Sequence, residues 1–336
     1  MFFSIIIPAY NVGKYIDNCL KSLVAQSFKD FEVIVIDDES NDDTYKLASS
    51  YSYTDDRFII KKIKHVTVGE VRNCALDIAN GDYIVFVDAD DYIEVDLLKR
   101  IHDFLDFKHT DILFLPNHYV DTPGMKVNHS LIPGVGEENF FFESREKFFD
   151  FLLEKKGTIP ASMWTGVCSK SVIAENEIRM DKGYVWSQDS DFMYQVLSHS
   201  KTVAICGYRG YCWNRKNVDS STRNVTDIKM ISRMAVYKKW YEALEQDCFG
   251  KISEQQKVYL QKSLLKNYCD VLFDYSFMKN KAQVLNVKRA FESDGLLSMD
   301  KTLVPWEYNY FGTTFGRVLF KYMHYAKELI DRVRRK

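Results

Sequence analysis

Short apolar runs and amphipathic segments alternate along residues 1–90. Four compact apolar runs have the length of buried strands: Phe2–Ile7, Phe31–Ile36, Phe58–Ile63 and Tyr83–Val87. Between them, apolar residues at helical spacing predict helices over Lys14–Gln26 and Gly69–Ala79, and Ser40–Asp43 has the polar and acidic residues typical of a helix start. This alternation is typical of an α/β protein with a parallel, doubly wound sheet.

The pattern is less regular after residue 110. A helix is expected over Phe140–Lys155, and strand-like runs over Trp164–Val172 and Thr202–Trp213. After about Ser221 the pattern becomes helical, with predicted helices over Asp227–Leu244, Glu254–Tyr275, Lys281–Phe291 and Gly312–Lys336. We therefore expect a catalytic domain over residues 1–222 and a helical C-terminal region over residues 223–336.

Composition narrows the class of protein. With 46% hydrophobic and 27% charged residues among 336, the chain can bury a sizeable core. A net charge of −2 argues against nucleic acid as a partner. The seven cysteines are an odd number without a CxxC pair, which fits a reducing compartment. No apolar run reaches the roughly 18–20 residues of a membrane span, and no export signal is evident, so a cytoplasmic location is expected.

Polar residues follow three of the predicted strands. These strand ends read Pro8-Ala9-Tyr10-Asn11, Asp37-Asp38 and Asp88-Ala89-Asp90. Ligands of such sheets lie beyond the carboxyl ends of the strands, so the three segments are expected to meet at one crevice. Asp88 and Asp90 offer the hard oxygen ligands that suit Mg²⁺ or Mn²⁺, whereas the alternative is an ordinary acidic surface turn.

Three other side chains have possible roles at this crevice. Asp38 is suited to accept a hydrogen bond from a nucleobase, Tyr10 to stack on a planar ring, and Arg72 to reach a phosphate or orient a carboxylate. The alternatives are that Asp38 caps the next helix, Tyr10 packs and Arg72 is solvated. No single assignment is compelling, but together they favour a nucleotide site.

Several motifs resemble those of family 2 glycosyltransferases: IIIPAYN, VIVIDDESNDDT and RNCALDIANGDYIVFVDADD. The resemblance is strong over residues 1–100 and extends to about 222. It implies the GT-A fold, a Rossmann-like, mainly parallel mixed sheet flanked by helices, and a UDP-sugar donor. It also implies that Pro8, Tyr10 and Asp38 hold the base and that Arg72 lies near the base or the pyrophosphate.

The same resemblance assigns the remaining donor residues. Asp88 would face the ribose, and Asp90 would bind Mn²⁺ or Mg²⁺ on the diphosphate, with Asp88 as a second metal residue. Asn11, in the first strand-end segment, is grouped with the nucleotide-sugar residues. Arg215 falls, with Lys216, Ser220 and Ser221, in a loop that resembles the family's donor-closing loop, and the alternative there is an ordinary polar loop.

The catalytic base is expected in Gln188-Asp189-Ser190-Asp191-Phe192. Family members often have Glu-Asp followed by two residues and then Phe, which makes Asp189 the implied base and Asp191 the second choice. The sequence departs from the family pattern at Gln188, which replaces Glu, and at Thr67 and Ala75, which replace Gly. Trp164 falls where the family has an acceptor-facing aromatic residue, and a core Trp is the alternative.

Residues 317–336 form a basic amphipathic pattern. Such a helix is typical of attachment to an anionic membrane surface, and the alternative is a helix docked on the protein. With the family resemblance, this predicts an enzyme peripheral to the inner face of the cell membrane, acting on a polyprenyl-diphosphate-linked glycan.

The predicted reaction is inverting transfer of one hexose or N-acetylhexosamine from a UDP-sugar to an acceptor hydroxyl in surface polysaccharide synthesis. Two alternatives remain: a sugar-nucleotide nucleotidyltransferase, for which Asn11–Lys14 is a poor phosphate loop, and a non-catalytic sugar-binding protein, which Gln188 alone supports.

Overall fold

The computed structural model describes residues 1–122, 125–129, 132, 135–215, 217, 226–276, 283, 286–287 and 289–290. The chain divides into two compact units. The first comprises Met1–Ser220 with Phe249–Lys251, and the second comprises Ser221–Cys248 with Ile252–Lys336. The assignment of catalysis to residues 1–222 stays a prediction.

Twelve strands lie within the described residues, all in the first unit. In chain order they are β1 Phe3–Ala9, β2 Phe31–Asp37, β3 Phe58–Lys62, β4 Tyr83–Phe86, β5 Tyr92–Ile93, β6 Ile112–Phe114, β7 Asn117–Thr122, β8 Met125–His129, β9 Phe140–Phe142, β10 Gly166–Ser169, β11 Val203–Ile205 and β12 Tyr211–Asn214.

Nine α-helices lie within the same described part of the chain. They are α1 Ile16–Val24, α2 Thr44–Ser52, α3 Val68–Leu76, α4 Leu97–Phe107, α5 Arg145–Lys155, α6 Lys170–Glu175, α7 Gln188–His199, α8 Asp227–Glu245 and α9 Glu254–Ser276.

The main sheet has eight strands in the order β3-β2-β1-β4-β10-β6-β11-β9. The first four strands are mutually parallel, whereas β10 is antiparallel to both of its neighbours and β9 is antiparallel to β11. The sheet is therefore mixed but mainly parallel, which confirms the predicted fold class. A second sheet, β5-β12-β7-β8, includes the strand that directly follows the acidic segment at residues 88–91.

The continuous apolar runs of β1 and β2 arise because the sheet is covered on both faces. Every residue of β2 is buried, including Asp37 at its end. Alternate residues of β1, such as Ile5 and Ile7, belong to the same core cluster as Leu20 and Leu23 of α1. This packing fixes the carboxyl ends of β1 and β2 side by side.

A close backbone approach holds the start of β4 against β1. Gly81 N donates to Ser4 Oγ at 2.8 Å, and Ser4 Oγ donates in turn to the buried Glu32 Oε1 at 2.5 Å. A Cβ on Gly81 would lie 2.4 Å from the Phe3 carbonyl carbon, closer than van der Waals contact permits. Only glycine fits there without a backbone shift.

The structure corrects several of the predicted elements. The segment predicted as one helix over Phe140–Lys155 begins as β9, and α5 starts only after Ser144, whose Oγ accepts from Lys147 N at 3.4 Å. The strand predicted over Trp164–Val172 is shorter, since a 3-10 turn precedes β10 and α6 follows it. Helices α4 and α7 were not predicted.

The second unit contains α8 and α9, whose predicted ends are correct to within one residue. The two helices pack against each other. Lys257 Nζ lies 3.2 Å from Glu245 Oε2, which also links their ends. Of the helix predicted over residues 281–291 only a few positions are described, and residues 317–336 lie outside the described residues.

Candidate active site

The carboxyl ends of β1 and β2 are joined by a backbone hydrogen bond. Asp38 N donates to Ala9 O at 2.8 Å. Pro8 is partly buried within β1. Tyr10, the first residue after β1, is 46% exposed. An aromatic ring is thus presented at the carboxyl edge of the sheet, where the sequence places it.

The turn after β1 does not offer free backbone donors. Asn11 adopts a left-handed conformation, with φ of 49°, and its Oδ1 accepts from Asn41 N at 2.9 Å. Three successive N–H groups donate to side chains after β2: Asn11 N to Ser40 Oγ at 3.0 Å, Val12 N to Thr44 Oγ1 at 2.8 Å and Gly13 N to Asp42 Oδ2 at 2.9 Å. A phosphate-binding loop needs such amides to be available, so this loop does not match that of a nucleotidyltransferase.

Asp38 is buried and faces His65 rather than α2. Its Oδ1 accepts from Val66 N at 2.8 Å, and its Oδ2 lies 2.8 Å from His65 Nδ1. Burial raises the pKa of Asp38, although these hydrogen bonds oppose the shift. The rings of His65 and Tyr10 are 4.8 Å apart. We call these three residues the Tyr10–Asp38–His65 cluster. Asp38 therefore does not cap the next helix, which was the alternative considered from the sequence.

The acidic loop between β4 and β5, residues 88–91, is held by β12. Asp91 is almost completely buried, and it accepts from Tyr211 Oη at 2.6 Å and from Asn214 N at 2.7 Å. Burial, together with the nearby Asp88 and Asp90 carboxylates, raises the pKa of Asp91. The third carboxylate is therefore a structural part of the loop.

Asp90 is tied to the chain after β12. Its Oδ2 accepts from Asn217 Nδ2 at 2.7 Å, and its carbonyl oxygen accepts from Asn214 Nδ2 at 3.0 Å. Burial raises the pKa of Asp90, and the Asp88 carboxylate adds to the shift because like charges disfavour ionisation. A cation here would relieve that repulsion.

Arg72 links α3 to the acidic loop. Thr67 and Glu70 begin α3 with a reciprocal capping box, and Arg72 follows one turn later. Its Nη2 lies 3.1 Å from Asp88 Oδ1, and its side chain is mostly buried. The predicted alternative of a solvated Arg72 is therefore wrong.

Asp189 lies in the first turn of α7, and the charges of Arg72 and Asp88 both act on its carboxyl group. Burial raises the pKa of its carboxyl group, the positive charge of Arg72 opposes this shift, and the negative charge of Asp88 adds to it. The side chain remains partly exposed. The charges of Arg72 and Asp88 are therefore close enough to Asp189 to affect its pKa.

Asp191 is placed differently. It is fully buried, and its Oδ2 accepts from Gln195 Nε2 one turn along the same helix at 2.9 Å. Side chains two residues apart on a helix point in directions that differ by about 200°, so Asp189 and Asp191 cannot face the same side. This geometry favours Asp189 as the base and gives Asp191 an internal role.

Helix α3 packs closely against the chain that leads into α7. A Cβ on Gly69 would lie 3.3 Å from Met180 Cβ and 3.6 Å from Gln188 Cγ, so α3 passes close to the chain that leads into α7. The Asn73 side chain makes two hydrogen bonds with the Met180 backbone. Its Nδ2 donates to Met180 O at 2.9 Å, and its Oδ1 accepts from Met180 N at 3.0 Å. Gln188 is buried in this contact, so it serves packing.

Trp164 is part of a group of aromatic rings next to the acidic loop, and Arg215 lies beside one of these rings. The Trp164 ring stacks on Tyr211 at 4.9 Å, and the Trp213 ring is 6.0 Å from it. The Arg215 guanidinium lies 5.9 Å from the Trp213 ring centroid. Both predicted residues are therefore near the site, and Trp164 is only partly buried. Lys216, Ser220 and Ser221, predicted with Arg215, lie outside the described residues.

The donor set fits a magnesium or manganese ion that a substrate also coordinates. Among the described residues, no group of three or more His, Cys, Asp or Glu side chains forms a complete metal site. Asp88 and Asp90 offer carboxylate oxygens from one loop, with burial and mutual repulsion that a cation would offset. Mg²⁺ sites of this kind use one or two carboxylates plus phosphates and water.

Several residues that support the predicted ones could not be identified from the sequence. They are His65, Asn73, Asp91, Tyr211, Asn214 and Asn217. Asp91 was visible in the acidic run, but its burial was not. Tyr211, Asn214 and Asn217 are more than 100 residues away in sequence from the aspartates that they contact, and no sequence signal connected them.

A mixed sheet with an acidic loop and an exposed aromatic ring at its carboxyl edge defines a GT-A type glycosyltransferase fold. Residues 4–167 match the family described as Glycosyl transferase family 2. The matched segment contains Tyr10, Asp38, Arg72 and the acidic loop.

The fold is shared with solved glycosyltransferases. The structure of Staphylococcus aureus TarS residues 1–349 in complex with UDP-GlcNAc matches with a TM-score of 0.72 and 23% identity, over 96% of this chain and 87% of that one. The mannosyltransferase PcManGT from Pyrobaculum calidifontis, in complex with GDP-Man and Mn²⁺, matches with a TM-score of 0.52 and 14% identity, over 95% and 85% of the two chains.

Two curated relatives match parts of the chain. Poly(ribitol-phosphate) beta-N-acetylglucosaminyltransferase TarS of S. aureus is 28% identical over 222 residues, which is 64% of this chain and 36% of that protein. The glucosyltransferase WfaP of Escherichia coli, which uses UDP-Glc and alpha-D-GlcNAc-diphosphoundecaprenol, is 37% identical over 122 residues, or 35% and 46% of the two chains. The chain thus spans well under two thirds of these relatives.

Proposed function

We propose that the protein is an inverting, metal-dependent glycosyltransferase. It transfers one hexose or N-acetylhexosamine from a UDP-sugar to a hydroxyl group of a lipid-linked glycan in surface polysaccharide synthesis. The observation that carries the proposal is the ion pair between Arg72 and Asp88 of the acidic loop, whose two charges also act on the carboxyl group of Asp189.

The proposed donor site follows from the strand ends. The exposed ring of Tyr10 stacks with the base, and Asp38 with its partner His65 supplies polar recognition next to it. Arg72 and the acidic loop would contact the diphosphate of this donor. The name of WfaP and the UDP-GlcNAc complex of TarS support a UDP-sugar as the donor.

In the proposed mechanism, Asp189 removes the proton from the acceptor hydroxyl as its oxygen attacks the anomeric carbon. A raised pKa brings a carboxylate closer to the range in which a general base is effective. One in-line displacement inverts the anomeric centre, as in inverting glycosidases, where a carboxylate base acts on one face and the leaving group departs from the other. Arg72 holds Asp88 and places a positive charge beside the leaving diphosphate.

Asp90 and Asp88 would hold the divalent cation, Mn²⁺ or Mg²⁺. When bound, such a cation stabilises the negative charge that develops on the departing nucleoside diphosphate.

A lipid-linked acceptor is supported by the diphosphoundecaprenol substrate in the name of WfaP. In the part of the chain that the structure describes, no helix has both the length and the apolar character needed to cross a bilayer. We propose peripheral attachment at the inner face of the cell membrane through the basic amphipathic pattern of residues 317–336, with Trp164 on the acceptor side. Deletion of these residues should release the protein from anionic liposomes, and unchanged co-sedimentation would contradict this part.

A UDP-release assay tests the activity. The full chain is incubated with Mn²⁺ and each common UDP-hexose and UDP-N-acetylhexosamine, with and without a polyprenyl-diphosphate-linked GlcNAc acceptor. One donor should give slow release of UDP that the acceptor accelerates, and the product should have inverted anomeric configuration by NMR. The absence of UDP binding and release with every donor would contradict the proposal.

A further inference from the structure

We propose that Tyr211 is a positioning residue that holds the acidic loop in the shape that binds the divalent cation. Through that loop its hydroxyl group sets the affinity for the metal and for the metal-bound nucleoside diphosphate. The inference rests on the proposed function and deepens it, because it assigns a residue outside the predicted set to the same site.

The Tyr211 hydroxyl group is used on both sides of Asp90. It accepts a hydrogen bond from Asp88 N at 3.1 Å and donates one to Asp91 Oδ2 at 2.6 Å. A phenolic oxygen has one proton to donate, and here that proton is directed at the buried carboxylate. One oxygen atom therefore fixes the backbone before Asp90 and the side chain after it.

The ring that bears this hydroxyl is itself held firmly. Tyr211 is 1% exposed, and Trp164 stacks on it with an angle of 19° between the rings. Its strand β12 pairs with β5, so that Tyr211 lies opposite Ile93, two residues after Asp91. The oxygen has little freedom to move, which makes it a rigid reference point for the loop.

Loss of this oxygen has a specific cost. Asp91 is buried beside two other carboxylates, and without the Tyr211 donor its Oδ2 would lose a partner within that negative environment. The loop would then relax to separate its charges. Because Asp88 and Asp90 belong to the same loop, their spacing for a cation would change with it.

The test is Tyr211→Phe in the full chain, which keeps the ring stack and removes one oxygen atom. UDP binding is measured by calorimetry in Mn²⁺ and in EDTA, and Mn²⁺ binding is measured separately by electron paramagnetic resonance with UDP present. The gain in UDP affinity that Mn²⁺ provides should fall at least about tenfold, whereas affinity in EDTA should change less than about twofold.

Tyr83→Phe is the matched control. The hydroxyl of Tyr83 is also buried and lies 2.9 Å from His109 Nδ1, but Tyr83 is at the opposite end of β4 from the acidic loop. It should leave the Mn²⁺-dependent gain unchanged. If Tyr211→Phe does not fold, Asp91→Asn, which keeps an acceptor for Asn214 N, replaces it and should give the same loss.

The outcomes separate this inference from the proposed function. An unchanged Mn²⁺-dependent gain in Tyr211→Phe, or an equal loss of affinity in Mn²⁺ and EDTA, would overturn the positioning role. Wild-type protein that binds UDP equally in Mn²⁺ and EDTA would also overturn it while leaving UDP binding intact. Wild-type protein that binds no UDP under either condition would instead contradict the proposed function.

Discussion

Arg72 and Asp88 are 16 residues apart in sequence and are joined by a contact of 3.1 Å between Nη2 and Oδ1. Burial raises the pKa of Asp189, and the positive charge of the same guanidinium opposes that rise. One cation therefore influences both the acidic loop and the proposed base. Any change at Arg72 should be visible in binding and in the pH dependence of turnover.

Arg72→Met should lower kcat/KM by about 10²-fold, because a charged donor is lost beside the leaving group. It should also raise the pKa of Asp189, since the opposing positive charge is gone, so the acidic limb of the kcat profile should move to higher pH. Arg72→Lys should largely restore the position of that limb. Arg179→Gln removes a surface partner of Asp77 and serves as the control. An unmoved acidic limb would argue against the coupling.

Asp189→Asn should reduce kcat by about 10²–10⁴-fold while UDP affinity stays within about twofold, because a general base is lost without a change in shape. Rates and calorimetric affinities check this. Asp191→Asn is the control in the same helix: it should cost about 1 kcal/mol of unfolding free energy and leave most of the turnover. If Asp191→Asn abolished turnover instead, the base would have to be reassigned.

Asp90→Ala should remove the part of the UDP affinity that depends on Mn²⁺, so that binding in Mn²⁺ falls to the level measured in EDTA. Calorimetric titration with UDP in the two buffers checks this. Asp103→Ala, which removes an exposed carboxylate that pairs with Lys99, should change neither value. Mn²⁺-dependent binding that persisted without Asp90 would show that the cation is held elsewhere.

Tyr10→Ala should weaken UDP binding by about 1–3 kcal/mol, the usual worth of a base stacked on an aromatic side chain. The loss should be similar for uridine, since the ring is expected to contact the base and not the diphosphate. Tyr53→Ala, at a ring that is 85% exposed on another surface, is the control. Equal affinities of Tyr10→Ala and the wild type would place the base away from β1.

Gly81→Ala should destabilise the protein by about 3 kcal/mol, because the new Cβ would lie 2.4 Å from both the Phe3 carbonyl carbon and Ser4 N. Urea unfolding measures this. Gly136→Ala meets no atom within 4 Å and should change the free energy of unfolding by less than about 0.5 kcal/mol. Similar stabilities of the two variants would contradict the close approach of β4 to β1.

The sequence predicts the parts of the fold in which local pattern and tertiary burial agree. Strands β1 and β2 are buried along almost their whole length because the sheet is covered on both faces, so their mainly apolar runs were easy to find. Helix α7 was missed because its buried positions include the polar residues Gln188, Ser190 and Asp191, which conceal the helical period. The burial of these side chains comes from distant partners.

The same distinction applies to the site. Strand ends placed Tyr10, Asp38 and Asp88 correctly at the carboxyl edge, because parallel strands end together. Sequence could not place His65 beside Asp38 or Tyr211 beneath the acidic loop, since those contacts depend on how β3 and β12 return to the site. The residues that hold the site together were therefore harder to find than those that face it.

The two hydrogen bonds between the Asn73 side chain and the Met180 backbone join α3 to the chain that leads into α7. The separation between the guanidinium on α3 and the carboxylate on α7 is thus set before any substrate arrives. Dipoles that are already oriented need no reorganisation energy at the moment of reaction. Adjustment on binding would then fall mainly on the flexible diphosphate of the proposed donor, and the protein's own charges can stay in place.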